Sequence, residues 1–212
     1  TGSCVMNGIK RGLFSNEAGV GSAPNAAASA AVSHPVKQGL VQMLSVFIDT
    51  ILICSATACL LLCSGVAPSE ELKGMPWVQA AASQSLGSFG TIFITVALCL
   101  FAFTTLIGNF YYAEMGLKYL CGKTPGKVLL NLFRVIAVLI VLAGSVMEFG
   151  LVWSTADVLM GFMALINLPV ILLLGGTAIR CMKDYMRQKK EGKDPVFKAA
   201  DIGMKEKTDF WN

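Results

Sequence analysis

The sequence predicts an all-α integral membrane protein, and two features of its composition support that prediction. Of its 212 residues, 55% are apolar and 14% are charged, whereas about 25% are charged in a soluble domain. Residues 50–69, 74–113 and 158–179 contain no charged residue. A bilayer core of about 30 Å needs about 20 apolar residues in a helix, so each run is long enough to cross it. This pattern excludes a disordered chain, a nucleic-acid-binding domain and a secreted disulfide scaffold.

The first predicted element is a broken half-helix. Residues 4–31 contain several glycines and Pro24, and glycine serves where the backbone leaves regular geometry. We therefore expect an irregular first half, followed by a short half-helix over residues 22–33. The His34-Pro35 step ends that half-helix.

Four longer apolar runs follow, and each predicts a transmembrane helix. They cover residues 36–66, 89–115, 128–149 and 157–179. The second run is rich in β-branched and aromatic residues, but it is far too long for a strand. The intervening residues 67–88 predict a loop with a short surface helix, and Pro169 predicts a kink in the last span.

The basic residues predict the orientation of the chain. Lys37, the lysines of residues 118–127 and nine basic residues from Arg180 onward fall on one predicted side of the membrane. The opposite loops hold one lysine and several acids. Because cytoplasmic loops are enriched in Lys and Arg, we expect a multi-pass protein of the plasma or inner membrane with a cytoplasmic C-terminus. Residues 1–185 would form the membrane portion and 186–212 a basic cytoplasmic tail.

No motif in the sequence indicates catalysis or nucleotide binding. The C-G-K-T run at Cys121–Thr124 lacks the first glycine of a phosphate-binding loop, because Leu117 stands there. His34 is the only histidine, and its place beside Pro35 indicates a helix boundary rather than a general base. We therefore expect no catalytic residue, no metal site, no cofactor and no nucleic-acid partner.

Polar residues inside the predicted spans are the remaining candidates for chemistry. The segment Ser15–Gly21 fits an irregular backbone that lines a cavity, since broken helices offer free N–H groups and carbonyls to a substrate. An interfacial loop with capping residues is the alternative. Thr104 and Thr105 carry hydroxyls suited to Na⁺, unless they bond back to the preceding helical turn or join helices. Inserting the Asp49 carboxylate near the middle of a membrane span costs about 2.5–3.5 kcal/mol, so we expect this side chain to face the protein interior.

Five stretches of the sequence resemble one known family. They are G-I-K-R-G-L-F-S-N-E-A-G-V-G-S-A-P at Gly8–Pro24, H-P-V-K-Q-G at His34–Gly39, V-F-I-D-T at Val46–Thr50, V-W-S-T-A-D at Val152–Asp157 and the N-L-P region near Asn167. These residues resemble the alanine or glycine:cation symporter family, the sodium:alanine symporters. The similarity extends over about residues 8–185.

The resemblance implies a fold and two sites. It implies the second half of a five-plus-five inverted-repeat transporter, beginning at its broken sixth core helix. The implied substrate-binding residues are Ser15, Asn16, Glu17, Gly19 and Gly21. The implied sodium ligands are the carbonyl of Phe101 and the hydroxyls of Thr104 and Thr105. Asp49 or Thr50 would approach a second polar cluster.

The function that this resemblance implies is transport of alanine or glycine coupled to Na⁺, with H⁺ as the alternative ion. The chain opens at Thr1 and lacks the first core helix, so we expect it to be part of a larger symporter in the lipid bilayer. A non-transporting membrane subunit or remnant, which needs a partner supplying the first half, is the alternative. A membrane enzyme is the weakest interpretation.

Overall fold

The computed structural model describes residues 2–17, 19–69, 72, 74–122, 125–204 and 211, except for the side chain of Phe14. Within these residues all regular secondary structure is helical. The chain forms two compact units. One comprises residues 1–44 with residues 123–212, and the other comprises residues 45–122.

The N-terminal residues form a longer helix than the sequence indicates. Helix α1 spans Gly2–Ser15 and includes Gly8 and Gly12, so the expectation of an irregular first half was wrong. Glycine costs about 1 kcal/mol relative to alanine inside a helix, which a helix can tolerate. The ladder continues to the bond from the Asn16 N–H to the Gly12 carbonyl at 3.0 Å. The interruption is therefore confined to residues 16–22.

Helix α2 follows the interruption and spans Ala23–Ala27, with Pro24 in its first turn, where a missing N–H is tolerated. The half-helix was predicted over residues 22–33. Beyond α2 the chain continues in tighter turns, with bonds from the Ser29 N–H to Ala26 and from the Ala30 N–H to Ala27. The α-helical part is thus shorter than predicted.

The next helix is continuous but changes its winding. Helix α3 spans Pro35–Phe47, a π-helical segment spans Ile48–Cys54, and helix α4 spans Ser55–Cys63. π-Helical turns are rare and occur frequently at functional sites. The segment contains both Asp49 and Thr50.

In the second unit, two helices form a close antiparallel pair. Helix α5 spans Met75–Leu86 and helix α6 spans Ser88–Cys121, and they are joined by Gly87 with a φ of 63°. A Cβ atom added at Gly90 would lie 2.2 Å from the Ala82 carbonyl oxygen. Only glycine permits this approach of the two backbones. Helix α5 matches the short helix expected in residues 67–88.

The last two helices belong to the first unit. Helix α7 spans Lys127–Val146 and helix α8 spans Phe149–Lys190, with Pro169 inside it. Helix α8 therefore extends beyond the predicted span 157–179 at both ends.

Four helices of the described residues are long and apolar enough to cross a membrane. They are Pro35–Cys63, Ser88–Cys121, Lys127–Val146 and Phe149–Lys190. At most 6% of the most apolar stretch of each helix is buried within the chain. Their apolar side chains therefore face outward, as expected of surfaces that contact lipid or further protein.

The residues after α8 fold back onto the protein. We call residues 193–204 the C-terminal clasp; they include a 3₁₀ turn over Ala199–Ile202. The Phe197 N–H donates to the Ser33 carbonyl at 2.9 Å, and the Ser33 hydroxyl donates to the Pro195 carbonyl at 3.0 Å. Part of the predicted basic tail is therefore a packed element of the first unit.

His34 forms the centre of this packing. Its side chain is fully buried, with the rings of Tyr185 and Phe197 edge-on at centroid distances of 5.2 and 5.1 Å. The Val36 N–H donates to Nδ1 at 3.2 Å, so the neutral ring carries its proton on Nε2, 3.4 Å from Asp184. Burial lowers the pKa of His34, although Asp184 opposes this shift. His34 thus lies at a helix boundary, directly before α3, and it is also a buried core residue.

Candidate functional site

The interruption between α1 and α2 has a backbone that suits glycine. Glu17, Gly19 and Gly21 have φ values of 50°, 85° and 99°. Glycine adopts such values freely, whereas a residue with a side chain is strained by about 1–3 kcal/mol. Of the other predicted substrate residues, Ser15 ends α1 and Asn16 follows it directly. The predicted substrate residues thus lie at one helix break. After that prediction we call residues 15–21 the substrate segment.

Two side-chain hydrogen bonds hold the substrate segment. The Ser22 hydroxyl donates to the Glu17 carboxylate at 2.5 Å and bridges the break from its far end. The Nδ2 atom of Asn167, in α8, donates to the Gly19 carbonyl at 3.0 Å. Val20 and Ser22 are both buried, with 3% and 9% of their surfaces exposed. The break is therefore a packed part of the first unit.

Helix α8 also fills the space beside both glycines. A Cβ atom at Gly21 would lie 2.9 Å from Cγ of Asn167, and one at Gly19 would lie 3.1 Å from Cδ2 of Leu168. Sequence reasoning did not assign Asn167 to the site. The available signal was an amide inside a run without charges, two positions before Pro169.

A charged cluster joins α1 to α8. Lys10 Nζ lies 2.6 Å from the Asp157 carboxylate, and one nitrogen of the Arg11 guanidinium lies 3.8 Å from it. The Arg11 guanidinium also lies over the Trp153 ring, 4.6 Å from its centre. The Asp157 side chain is 13% exposed, so this ion pair is shielded on the carboxylate side. The cluster anchors the helix that leads into the substrate segment.

The predicted sodium ligands lie on α6, in the second unit. The Thr104 hydroxyl donates to the Phe101 carbonyl at 3.0 Å, which is the back-bonding that the alternative interpretation described. This contact also brings two of the predicted ligand oxygens together. A cation bound to both oxygens requires the hydroxyl hydrogen to turn away, since a hydroxyl has one hydrogen and two lone pairs. Thr105 follows on the same helix and is exposed.

The second predicted polar cluster lies in the π-helical segment. Asp49 is half-buried there and Thr50 is exposed. Across the described part of the chain, no three His, Cys, Asp or Glu side chains are placed to hold a metal ion together. The roles of Asp49 and Thr50 remain predictions.

Membrane-capable helices combined with a glycine-containing helix break define a class of protein. Non-helical backbone is tolerated at membrane depth only where it is buried in protein or lines a cavity, and transporters place their substrate sites at such breaks. This combination is typical of multi-pass membrane transporters.

Comparison with known proteins identifies the family within this class. The chain matches the sodium:alanine symporter family over residues 1–199, and it belongs to that family. The resemblance inferred from the sequence motifs is thereby confirmed. Since the family is one of transporters and four helices can cross a membrane, the chain is a multi-pass cell-membrane protein.

Relatives are found in bacteria and archaea. The chain is 47% identical to the amino-acid carrier protein AlsT of Bacillus subtilis over 210 residues, which are 99% of the chain and 44% of AlsT. It is 39% identical to the sodium/proton-dependent alanine carrier protein of Bacillus sp. PS3, covering 99% of the chain and 50% of that protein. It is also 39% identical to the sodium/alanine symporter AgcS of Methanococcus maripaludis, and this match covers 89% of the chain and 41% of AgcS.

The chain therefore spans half or less of the length of these curated relatives. No solved structure matches the chain significantly.

Proposed function

We propose that this chain is the C-terminal portion of a symporter that carries alanine or glycine together with Na⁺, with H⁺ as the alternative coupling ion. Its family membership and the names of its relatives support the transport of an amino acid with a cation. The observation that carries the site assignment is the helix break at Glu17, Gly19 and Gly21, held against α8.

The substrate segment suits a small zwitterion. Its backbone leaves the helical ladder after Asn16, and transporters use such breaks to present N–H groups and carbonyls to the charged ends of a substrate. The absence of side chains at Gly19 and Gly21 lets the backbone of the segment pack closely against Leu168 and Asn167 of α8. In this proposal Ser15, Asn16 and Glu17 supply further polar groups.

The proposed sodium site uses the carbonyl of Phe101 and the hydroxyls of Thr104 and Thr105. These oxygens are hard ligands, which suit an alkali cation. Binding of Na⁺ would favour the substrate-competent shape of the broken helix, and rocking between helix bundles would alternate access. Asp49 or Thr50 would belong to a second polar cluster.

The proposal includes a first half that is outside this chain. An inverted-repeat transporter shares its sites between two halves, and this chain aligns with half or less of each relative. The outward-facing apolar surfaces of the four long helices support contacts with lipid and with such a half. By the excess of basic residues near its end, the C-terminus lies in the cytoplasm.

The sodium assignment is tested with Thr105→Ala in the complete transporter, reconstituted into proteoliposomes. We expect the sodium concentration for half-maximal alanine uptake to rise at least tenfold, because one cation ligand is lost. Thr105→Ser keeps the hydroxyl and serves as the matched control. An unchanged sodium dependence in Thr105→Ala contradicts the assignment.

The dependence on a first half is tested with the 212-residue chain alone and together with that half. We expect sodium-driven alanine uptake only when both are present. Uptake by the chain alone contradicts the portion proposal. Absence of uptake in both preparations favours the non-transporting subunit or remnant.

A further inference from the structure

The substrate segment receives a hydrogen bond from a residue far along the chain. Asn167 of α8 donates Nδ2–H to the Gly19 carbonyl at 3.0 Å, across 148 positions of sequence. Asn167 is half-buried, and it lies within a helix long and apolar enough to cross a membrane. A donor of this kind is costly to place in an apolar helix unless it meets an acceptor.

The segment needs such a donor because its backbone has left the helical ladder. Each carbonyl of a helix ordinarily accepts a bond from four residues ahead, and a break leaves carbonyls to be satisfied otherwise. Within the described part of the break, the Val20 N–H reaches the Glu17 carbonyl at 3.3 Å. The amide of Asn167 satisfies the Gly19 carbonyl from outside. An amide does so without burying a charge.

The same side chain also constrains the second glycine. The Cγ and Oδ1 atoms of Asn167 lie 2.9 and 3.0 Å from the place where Gly21 would carry a Cβ. Asn167 therefore touches the segment on both sides of Val20, which is 3% exposed. One contact is a hydrogen bond and the other is close packing, so together they define the positions of Gly19 and Gly21 relative to α8.

We infer that Asn167 is a positioning residue for substrate binding, which holds the backbone of Gly19 and Gly21 in the geometry that receives the amino acid. This inference rests on the substrate-binding role proposed for residues 15–21. Helix α8 then acts on the site through the backbone of the segment rather than by contact with the substrate.

The test compares Asn167→Asp and Asn167→Ala with the parent protein in the complete transporter. Asn167→Asp keeps the size of the side chain and replaces the donor by an oxygen that repels the Gly19 carbonyl. The control is Asn131→Asp, the same chemical change at an exposed position of α7. Alanine uptake is measured against concentration and normalised to the transporter present in the membrane.

A positioning role predicts a specific kinetic pattern. We expect the KM for alanine to rise about tenfold in both Asn167 variants, which corresponds to a lost hydrogen bond with a stranded acceptor. A purely structural role would lower the amount of folded protein and leave KM unchanged. If the parent protein takes up alanine and Asn167→Asp has the same KM as the parent, the inference is overturned.

Hydrogen exchange of the purified transporter separates this inference from the proposed function. In Asn167→Ala we expect faster exchange in peptides covering residues 16–24, and unchanged exchange in Asn131→Asp. Unchanged exchange in Asn167→Ala overturns the inference whatever is transported. If the parent protein takes up no alanine, the proposed function fails, and the exchange result still decides whether Asn167 fixes the segment.

Discussion

Replacing His34 tests how the C-terminal clasp is held. His34 is fully buried, and its ring contacts Tyr185 on α8 and Phe197 on the clasp. His34→Ala removes these ring contacts and leaves a cavity, a change that costs about 2–4 kcal/mol for a large buried side chain. The bond to Asp184 is long, at 3.4 Å, so most of this cost comes from packing.

The expected result is release of the clasp. A cost of about 2–4 kcal/mol lowers the ratio of docked to undocked clasp by about 30- to 1000-fold. The Phe197 N–H, which donates to the Ser33 carbonyl at 2.9 Å, should lose protection from hydrogen exchange accordingly. Exchange is measured by mass spectrometry on peptides that cover residues 193–204.

Two variants show which interaction is responsible. His34→Phe keeps a ring and removes the bonds to Asp184 and to the Val36 N–H, so we expect a loss of about 1–2 kcal/mol. Lys37→Ala removes the ion pair between Lys37 and Asp194. Because these side chains are 30% and 78% exposed, we expect little change in the exchange of the clasp. If exchange in the clasp is the same in His34→Ala as in the parent protein, the buried ring does not hold the clasp.

Three further results are expected. Because burial lowers the pKa of His34 in the folded protein, the unfolded state binds a proton more readily. The clasp should therefore be fully stable above pH 6.5 and should lose stability as the pH falls through the lowered pKa of His34. Exchange of residues 193–204 between about pH 8 and pH 5 should show this loss, which His34→Phe should lack. Gly21→Ala should abolish alanine uptake, because φ is 99° and its Cβ would lie 2.9 Å from Asn167, whereas Gly12→Ala in α1 should retain it. Asp157→Asn should lower the melting temperature of the purified transporter, because it breaks the ion pair with α1. Glu191→Gln, which breaks an exposed ion pair, should leave the melting temperature unchanged. Equal melting temperatures for Asp157→Asn and the parent protein would contradict this expectation.

The membrane helices could be predicted from the lengths of the apolar runs in the sequence. A bilayer demands a minimum length of apolar helix, and that length is a local property of the chain. The four predicted apolar runs therefore correspond to four long apolar helices. Their ends were less predictable. Helix α8 continues to Lys190, because residues 180–190 contain no glycine or proline and are rich in arginine, lysine and methionine, which are good helix formers.

The helix break could be predicted only in part from the local sequence. The cluster of glycines predicts an irregular backbone, because only glycine adopts positive φ values without strain. It does not predict where the irregularity begins: Gly8 and Gly12 are helical, whereas Gly19 and Gly21 have positive φ. A single glycine changes the local free energy by about 1 kcal/mol, which tertiary packing easily outweighs.

The chain's membrane character, its family motif and its polar candidates followed from residue order alone, since each depends on neighbours within one helix or loop. Tertiary structure alone decided that Asn167 meets Gly19 across 148 positions and that the returning clasp encloses His34 against Asp184. Contacts of this kind depend on how distant segments pack, and burial sets both the cost of an unpaired amide and the direction of a histidine pKa.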